Sequence, residues 1–302
     1  MDGLRSKLVA FAKGFVFPIR TDQLEPLPAI QWTWWRKVLF VVMLAAAGWF
    51  LWRILFPSIS WLLYIVQHDG PVVLTETPRQ EEMMSWLTNW GLIIASALVV
   101  LACMGAIGGK QATGLFRPAR MHAAAFGYFV RTVYPFSVLA ALLYLVMVRA
   151  FPQLQGFAAT SGKIDTAVEY AYLNSIMQAL ASGIAEEIVA TVLVYWLLNH
   201  VPGPKGKTLA ESGWGTAIII VVHLSYHTYY GVGLVMVIPS VYFSVICWRR
   251  MRSLPAIVAG HVLWDLILLA PRWSVGVLFA VVMYIGFRLD SEPRRTKQVQ
   301  TA

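Results

Sequence analysis

Long apolar stretches separated by short polar segments dominate the chain. Eight of them have the composition of membrane helices, and they are predicted at residues 38–56, 90–107, 123–148, 167–198, 216–229, 234–248, 254–269 and 275–287. A crossing helix needs about 20 apolar residues, because the hydrocarbon core of a bilayer is about 30 Å thick. The fifth, sixth and eighth stretches are shorter, which suits helices packed inside a bundle. The pattern predicts an all-α polytopic membrane protein with a bundle of about eight transmembrane helices.

The composition agrees with this class. Hydrophobic residues make up 58% of the chain, charged residues 13%, and the mean hydropathy is +0.64. Soluble domains carry about 25% charged residues. The net charge of +9 does not indicate nucleic-acid binding, because the basic residues flank the apolar stretches. Cys103 and Cys247 both fall inside predicted helices, so they are expected to be small core residues rather than a disulfide.

The distribution of Lys and Arg predicts the orientation in the membrane. Of the 24 basic residues, 18 lie in one alternating set of segments, residues 1–37, 109–121, 200–212, 249–253 and 288–302. Only four lie in the opposite set. Because cytoplasmic loops carry the excess of Lys and Arg, both termini are expected in the cytoplasm. The location expected is the plasma (cytoplasmic) membrane, with the loop at 57–87 on the outside.

The predicted organisation has three parts. A cytoplasmic N-terminal segment occupies residues 1–37, the transmembrane bundle residues 38–288, and a cytoplasmic tail residues 289–302. No signal peptide is expected, because the first long apolar stretch begins near Lys37. Between Leu4 and Phe17 the apolar residues have a partly helical spacing beside basic residues. This part is either a disordered basic tail or a helix on an anionic membrane surface.

Two adjacent carboxylates interrupt the fourth apolar stretch at Glu186 and Glu187. A charged group at bilayer depth is costly, so such a residue is by default a candidate functional group. Neighbouring carboxylates disfavour each other's ionisation, and one of them can then act as a general base or acid near neutral pH. Upstream polar residues give the same helix a stripe expected to face the bundle interior: Asn174, Ser175, Gln178 and Ser182.

Two later apolar stretches carry the remaining buried ionisable groups. The fifth contains His223 and His227, and the seventh contains His261 and Asp265. Each pair is four residues apart, so on a helix both members would share one face. Counting the helical rise from the predicted cytoplasmic ends places these groups and Glu186 in the inner half to the middle of the membrane. The sequence therefore predicts one functional cluster made by three helices.

At these residues the sequence resembles the CPBP family of intramembrane proteases, the CAAX proteases and bacteriocin-processing enzymes also called the Abi family. The family pattern is Glu-Glu-x-x-x-Arg, then Phe-x-x-x-His, then His-x-x-x-Asn or Asp, on successive helices. This sequence meets it with Glu186 and Glu187, His227, His261 and Asp265, but has Thr191 where Arg is usual and His223 where Phe or Arg is usual. The run from Tyr226 to Gly231 resembles the Tyr-His-Leu-Tyr-x-Gly run of one bacterial subfamily. The resemblance covers a CPBP-like core of about residues 167–269.

The resemblance implies an intramembrane endopeptidase. Glu186, with His227, would activate a water to attack a peptide carbonyl, and Glu187 would orient the site. His261 and Asp265 would stabilise the oxyanion. Since an ionised aspartate cannot donate a hydrogen bond, Asp265 would have to be protonated or else orient His261. The implied substrate is a membrane-associated protein or peptide, lipidated peptides included, and nucleic acid is not expected.

Three alternatives stay open at the level of sequence. Glu186, His223, His227 and His261 could hold a metal such as zinc, since histidines four apart on a helix are a zinc spacing; a glutamate-type enzyme would need no cofactor. At His223, a structural histidine that replaces the usual residue is favoured over a metal ligand. At Thr191, simple helix packing is favoured. A non-catalytic scaffold, immunity or partner-stabilising protein is the alternative function. A proton-coupled transporter is disfavoured, because no inverted repeat is visible.

Overall fold

The computed structural model describes residue 27 and residues 29–67, 73–74, 80–151, 160–161, 169–270 and 272–300. The amphipathic stretch expected between Leu4 and Phe17 lies outside these residues, as do residues 68–72 and 75–79 of the expected external loop. Two short strands, β1 (Val73–Leu74) and β2 (Thr160–Ser161), pair in parallel. The elements that position the site are helices and the turn that follows Ser225.

Ten α-helices and one π-helix make up most of the described residues. In chain order they are α1 (Trp34–Gln67), α2 (Gln80–Gly108), α3 (Lys110–Thr113), α4 (Ala119–Ala150), α5 (Glu169–Glu186), a π-helix (Glu187–Leu193), α6 (Val194–Leu198), α7 (Gly213–Ser225), α8 (Ile238–Met251), α9 (Leu254–Leu269) and α10 (Arg272–Gln300). Single 3₁₀ turns at Pro204–Gly206 and Leu209–Glu211 precede α7, and a longer 3₁₀ segment, Thr228–Met236, joins α7 to α8.

The protein is a polytopic helical membrane protein, as the apolar pattern predicts. Among the described residues, five stretches are long and apolar enough to cross a membrane: Trp34–Ser60, Leu87–Gly108, Ala119–Ala150, Leu173–Leu198 and Gly233–Met251. Three shorter apolar helices cover Gly213–Ser225, Leu254–Leu269 and Ser274–Leu289. Each of the eight predicted spans overlaps one of these elements. That the three shorter ones also cross stays a prediction.

Helix α4 packs against α8, α9 and α10. Helix α5 packs against α2 and α9, and α1 packs against α2 and the 3₁₀ segment. Large aromatic side chains fill the interior, and the largest fully buried ones are Trp196, Trp248, Tyr128, Tyr134 and Tyr226. The outward faces are apolar too; on α4, for example, Leu142 and Val146 are exposed. Apolar residues on both faces are expected where the surrounding solvent is lipid.

Two helix boundaries differ from the sequence prediction. The fifth apolar stretch was expected to stay helical to Tyr229, but α7 ends at Ser225 and His227 lies in a turn. Gly231 and Gly233 follow closely, and glycine costs about 1 kcal/mol in a helix interior. The prediction that His223 and His227 share a helix face is therefore wrong. The second difference lies at the C-terminal end of the chain. Helix α10 continues to Gln300, so the expected cytoplasmic tail is helical over residues 289–300.

Candidate active site

Glu186 and Glu187 lie at the junction between α5 and the π-helix. Glu186 is the last residue of α5, and Glu187 opens a seven-residue π-helix that ends at Leu193. Both are buried, with 5% and 1% of their surfaces exposed. Successive side chains on a helix point about 100° apart, so the two carboxylates reach different neighbours. π-helical segments inside α-helices are frequent at functional sites.

Close contact between α5 and α9 brings the carboxylates within reach of His261. Gly183 faces Val262, and a Cβ atom built at position 183 would lie 2.9 Å from the Val262 backbone nitrogen. Small residues at a helix interface let two membrane helices approach closely. Gly183 lies on α5, one turn before Glu187, and Val262 directly follows His261 on α9. Because residue 183 has no side chain, α5 and α9 can lie close enough for Glu187 and His261 to meet.

One carboxylate oxygen of Glu186 is the centre of the cluster. The Tyr226 hydroxyl donates a hydrogen bond to Oε2 at 3.3 Å. The Nε2 atoms of His223 and His227 each lie 3.3 Å from the same oxygen. Nε2 of His261 is next, at 3.9 Å. The two histidines thus meet at Glu186 although they do not share a helix, because the turn after Ser225 directs His227 back toward the carboxylate.

Glu187 holds His261. Nδ1 of His261 lies 3.0 Å from Oε1 of Glu187, and the Ser244 hydroxyl of α8 donates to Oε2 at 2.6 Å. An ionised carboxylate only accepts hydrogen bonds, so Nδ1 of His261 is the donor and Nε2 faces Glu186. Both oxygens of Glu187 are therefore used within the protein. Sequence reasoning missed Ser244, which is one of three hydroxyl side chains in the apolar stretch 234–248, with Ser240 and Tyr242.

Asp265 is held by α5 rather than by His261. Ser182 donates a hydrogen bond to Oδ2 of Asp265 at 2.7 Å. Nε2 of His261 is 3.7 Å from the same oxygen, which is beyond hydrogen-bond distance. Asp265 is also the most exposed carboxylate of the cluster, with 28% of its side-chain surface accessible. Of the polar stripe expected on α5, Asn174 and Ser182 do find partners inside the bundle, whereas Gln178 is exposed.

Helix α1 supports the turn that carries His227. Ser58 is buried, and its single hydroxyl proton is shared between the backbone carbonyls of Tyr226 and Ile54. The ring of Phe50 packs edge-on against the Tyr226 ring, with the centroids 6.4 Å apart. Neither residue was singled out from the sequence, because a serine and a phenylalanine in an apolar helix carry no local signal of a distant partner.

Thr191 occupies the position at which the family pattern has Arg. It is fully buried within the π-helix, and its hydroxyl oxygen has no hydrogen-bond partner in the part of the chain that the structure describes. This placement agrees with the expected packing role. A small cavity adjoins the cluster, and its lining consists of Phe129, Val133, Ser240, Val241 and Trp264 together with Glu187, His223 and His261.

The donor set around Glu186 suits a metal ion. Glu186, His223 and His227 each offer one ligand atom, and these three atoms lie within 4.8 Å of one another. Carboxylate oxygen and imidazole nitrogen are both ordinary zinc ligands. The residues present therefore fit a divalent transition metal.

The fold and the site together define a helical membrane protein with a buried carboxylate–histidine cluster. Residues 169–267 match a family model described as Type II CAAX prenyl endopeptidase Rce1-like. The match covers about a third of the chain and confirms the resemblance to the CPBP family. It includes all the predicted site residues and leaves α1 to α4 and α10 outside. No curated protein and no solved structure matches the chain. The matched family supports a protease of this type.

Proposed function

We propose that the protein is an intramembrane endopeptidase that hydrolyses a peptide bond of a membrane-associated substrate, with lipidated peptides as one candidate class. The single observation that carries this proposal is the convergence on one buried oxygen of Glu186. The hydroxyl of Tyr226 and the ring nitrogens of His223 and His227 all lie 3.3 Å from it. The matched family, a CAAX prenyl endopeptidase by its description, supports the reaction type.

Glu186 is the proposed general base. A water hydrogen-bonded to both Glu186 and His227 would lose a proton to the carboxylate as it attacks the substrate carbonyl. Glu186 would then pass that proton to the amide nitrogen as the peptide bond breaks. His227 has 12% of its side-chain surface exposed against 2% for His223, so His227 is the histidine that can meet water and substrate. General-base catalysis by a positioned side chain contributes about 10²–10⁴ in rate.

His261 is the proposed oxyanion donor, in its imidazolium form. Nδ1–H is directed to Glu187 at 3.0 Å, which leaves Nε2–H to donate to the developing oxyanion. Glu187 is thereby a positioning residue, and Ser244 fixes the other oxygen of that carboxylate. Asp265 lies at the more exposed edge of the cluster, with Oδ2 3.7 Å from Nε2 of His261. A preorganised donor of this kind acts strongly in a water-poor cavity.

The sharpest test replaces the base without changing its shape. Glu186→Gln should lower proteolysis of a tagged membrane-anchored substrate by at least about 10², because the amide cannot accept the proton. Glu211→Gln is the matched control, since it makes the same chemical change at an exposed carboxylate in the 3₁₀ turn before α7. Cleavage near the wild-type rate by well-expressed Glu186→Gln protein would reject the proposal and favour the non-catalytic scaffold.

A metal-dependent mechanism is the second candidate, because Glu186, His223 and His227 form a donor set. Zinc in such a site would supply a Lewis acid and a more acidic bound water. Activity that survives a strong chelator supports the glutamate-type mechanism proposed above. Activity that is lost with the chelator and restored by zinc would replace it with the metal-dependent one.

A further inference from the structure

We infer that the connection between α2 and α4, residues 109–118, forms with the first turn of α4 a docking site for anionic phospholipid headgroups. The site consists of an apolar tip and three basic side chains beside it: Leu115 and Phe116, with Lys110, Arg117 and Arg120. The inference goes beyond the proposed function and does not depend on it, because these residues lie outside the carboxylate–histidine cluster.

The connection lies where two membrane helices end. The stretches Leu87–Gly108 and Ala119–Ala150 are both long and apolar enough to cross a membrane, and residues 109–118 join them. A segment that joins two crossing helices lies at the edge of the hydrocarbon core, where the polar headgroups begin. Lipid phosphates are therefore within reach of basic side chains that extend from this connection.

The backbone of the connection is held in one conformation by its neighbours. Gly114 has a φ of +64°, and a Cβ atom at this position would lie 2.6 Å from the Trp248 ring. The Gly114 carbonyl accepts a hydrogen bond from the backbone N–H of Leu254 at 3.3 Å. The next carbonyl, that of Leu115, lies 3.2 Å from Nε2 of His122. Because the segment is already ordered, binding a ligand here costs less conformational entropy than ordering a free loop would.

The tip of the connection is apolar and exposed. Leu115 and Phe116 have 38% and 65% of their surfaces accessible. Nζ of Lys110 lies 5.3 Å from the centroid of the Phe116 ring, so positive charge and apolar surface are presented side by side. Apolar and aromatic side chains next to Lys and Arg are typical of segments that lie in the interface of an anionic membrane.

The charge of this face is complementary to an anionic leaflet. Among the described residues, none of the three basic side chains of the site forms an ion pair with a carboxylate. The connection before α9 belongs to the same face, and Arg249 in turn donates a hydrogen bond to the backbone carbonyl of Glu211 before α7. Residues 199–212 and 249–253 add five basic residues and one carboxylate. Arg binds phosphate oxygens through two parallel hydrogen bonds, which favours the headgroup phosphate as the ligand.

The experiment titrates the full chain, purified in detergent, with phosphatidylglycerol or phosphatidylcholine and follows the unfolding midpoint. A lipid that binds the folded state raises the midpoint by mass action. Phosphatidylglycerol should act at lower concentration than phosphatidylcholine, and added salt should reduce the difference because it screens exposed charges. Changing Lys110, Arg117 and Arg120 together to Gln should raise the half-maximal phosphatidylglycerol concentration about 100-fold, since each basic residue near an anionic surface contributes about fivefold.

Arg149→Gln is the matched control for Arg120→Gln, because it makes the same change at an exposed residue near the opposite end of α4. A double variant, Lys205→Gln with Lys207→Gln, lowers the charge of the same face and leaves the site intact. A loss of about fivefold in Arg120→Gln protein, with no loss in Arg149→Gln protein, supports the inference.

Three outcomes would overturn the inference. The first is a wild-type protein that shows no preference for phosphatidylglycerol over phosphatidylcholine. The second is a Lys205→Gln, Lys207→Gln variant that loses as much affinity as the triple variant, because the attraction would then be spread over the face. The third is an equal midpoint shift with soluble glycerol phosphate, which would make a free phosphate the ligand. All the substituted side chains are exposed or half-buried, so the variants should keep the wild-type midpoint when no lipid is added.

Discussion

Gly183→Ala tests whether the close approach of α5 and α9 builds the site. The added Cβ would lie 2.4 Å from Cγ2 of Val262 and 2.9 Å from its backbone nitrogen. Ordinary contacts between such atoms are about 3.5–4.0 Å long, so the two helices must separate locally by about 1 Å. The Glu187–His261 hydrogen bond, now 3.0 Å, would then lengthen to about 4 Å and break.

Gly183→Ala is expected to lower both the stability of the protein and its rate of proteolysis, and the effect on the rate should be the larger. Overpacking of this kind costs about 1–3 kcal/mol in the free energy of unfolding. A misplacement of about 1 Å in a catalytic constellation costs about 10² in rate. Proteolysis of a membrane-anchored substrate, measured per amount of folded protein, should therefore fall about 100-fold while most of the protein still folds. Val262→Ala in the same chain removes Cγ2 but not the backbone contact, so it should restore activity in part.

Gly91→Ala provides the control for an added methyl group. No atom lies within 4 Å of the position that a Cβ at residue 91 would occupy. This variant should keep the wild-type rate and midpoint. The reasoning fails if folded Gly183→Ala protein cleaves at the wild-type rate, or if Val262→Ala gives no recovery at all.

Two further predictions concern α1 and the orientation in the membrane. Ser58→Ala removes the buried hydrogen bond to the Tyr226 carbonyl and should cost about 1–3 kcal/mol together with a fall in proteolysis. Ser60→Ala, whose hydroxyl donates only within its own helix, should do neither, and equal unfolding midpoints for the two variants would contradict the role of α1. Reporter fusions at Gln111 and Thr77 should report cytoplasmic and external locations respectively; the same side for both would reject the orientation inferred from Lys and Arg.

The sequence by itself determined the class of protein and most of the residues of the cluster. Hydropathy is a local property, so eight apolar stretches were sufficient to predict a helical membrane bundle. Ionisable groups in apolar helices are costly, which singled out Glu186, Glu187, His223, His227, His261 and Asp265 before any contact was known. That His261 and Asp265 share a helix face could be predicted from their i, i+4 spacing, because α9 is a regular helix over its whole length.

Only the tertiary structure decided how these groups meet. The π-helix after Glu186 and the early end of α7 change the directions of side chains, and neither change is visible in hydropathy. His227 therefore reaches Glu186 from a turn and not from the face that it was expected to share with His223. The partners Ser244 and Ser58 come from helices distant in the chain, and their role depends on the relative rotation and separation of packed helices. That separation is fixed where Gly183 contacts Val262, a contact between residues 79 positions apart that no local pattern encodes.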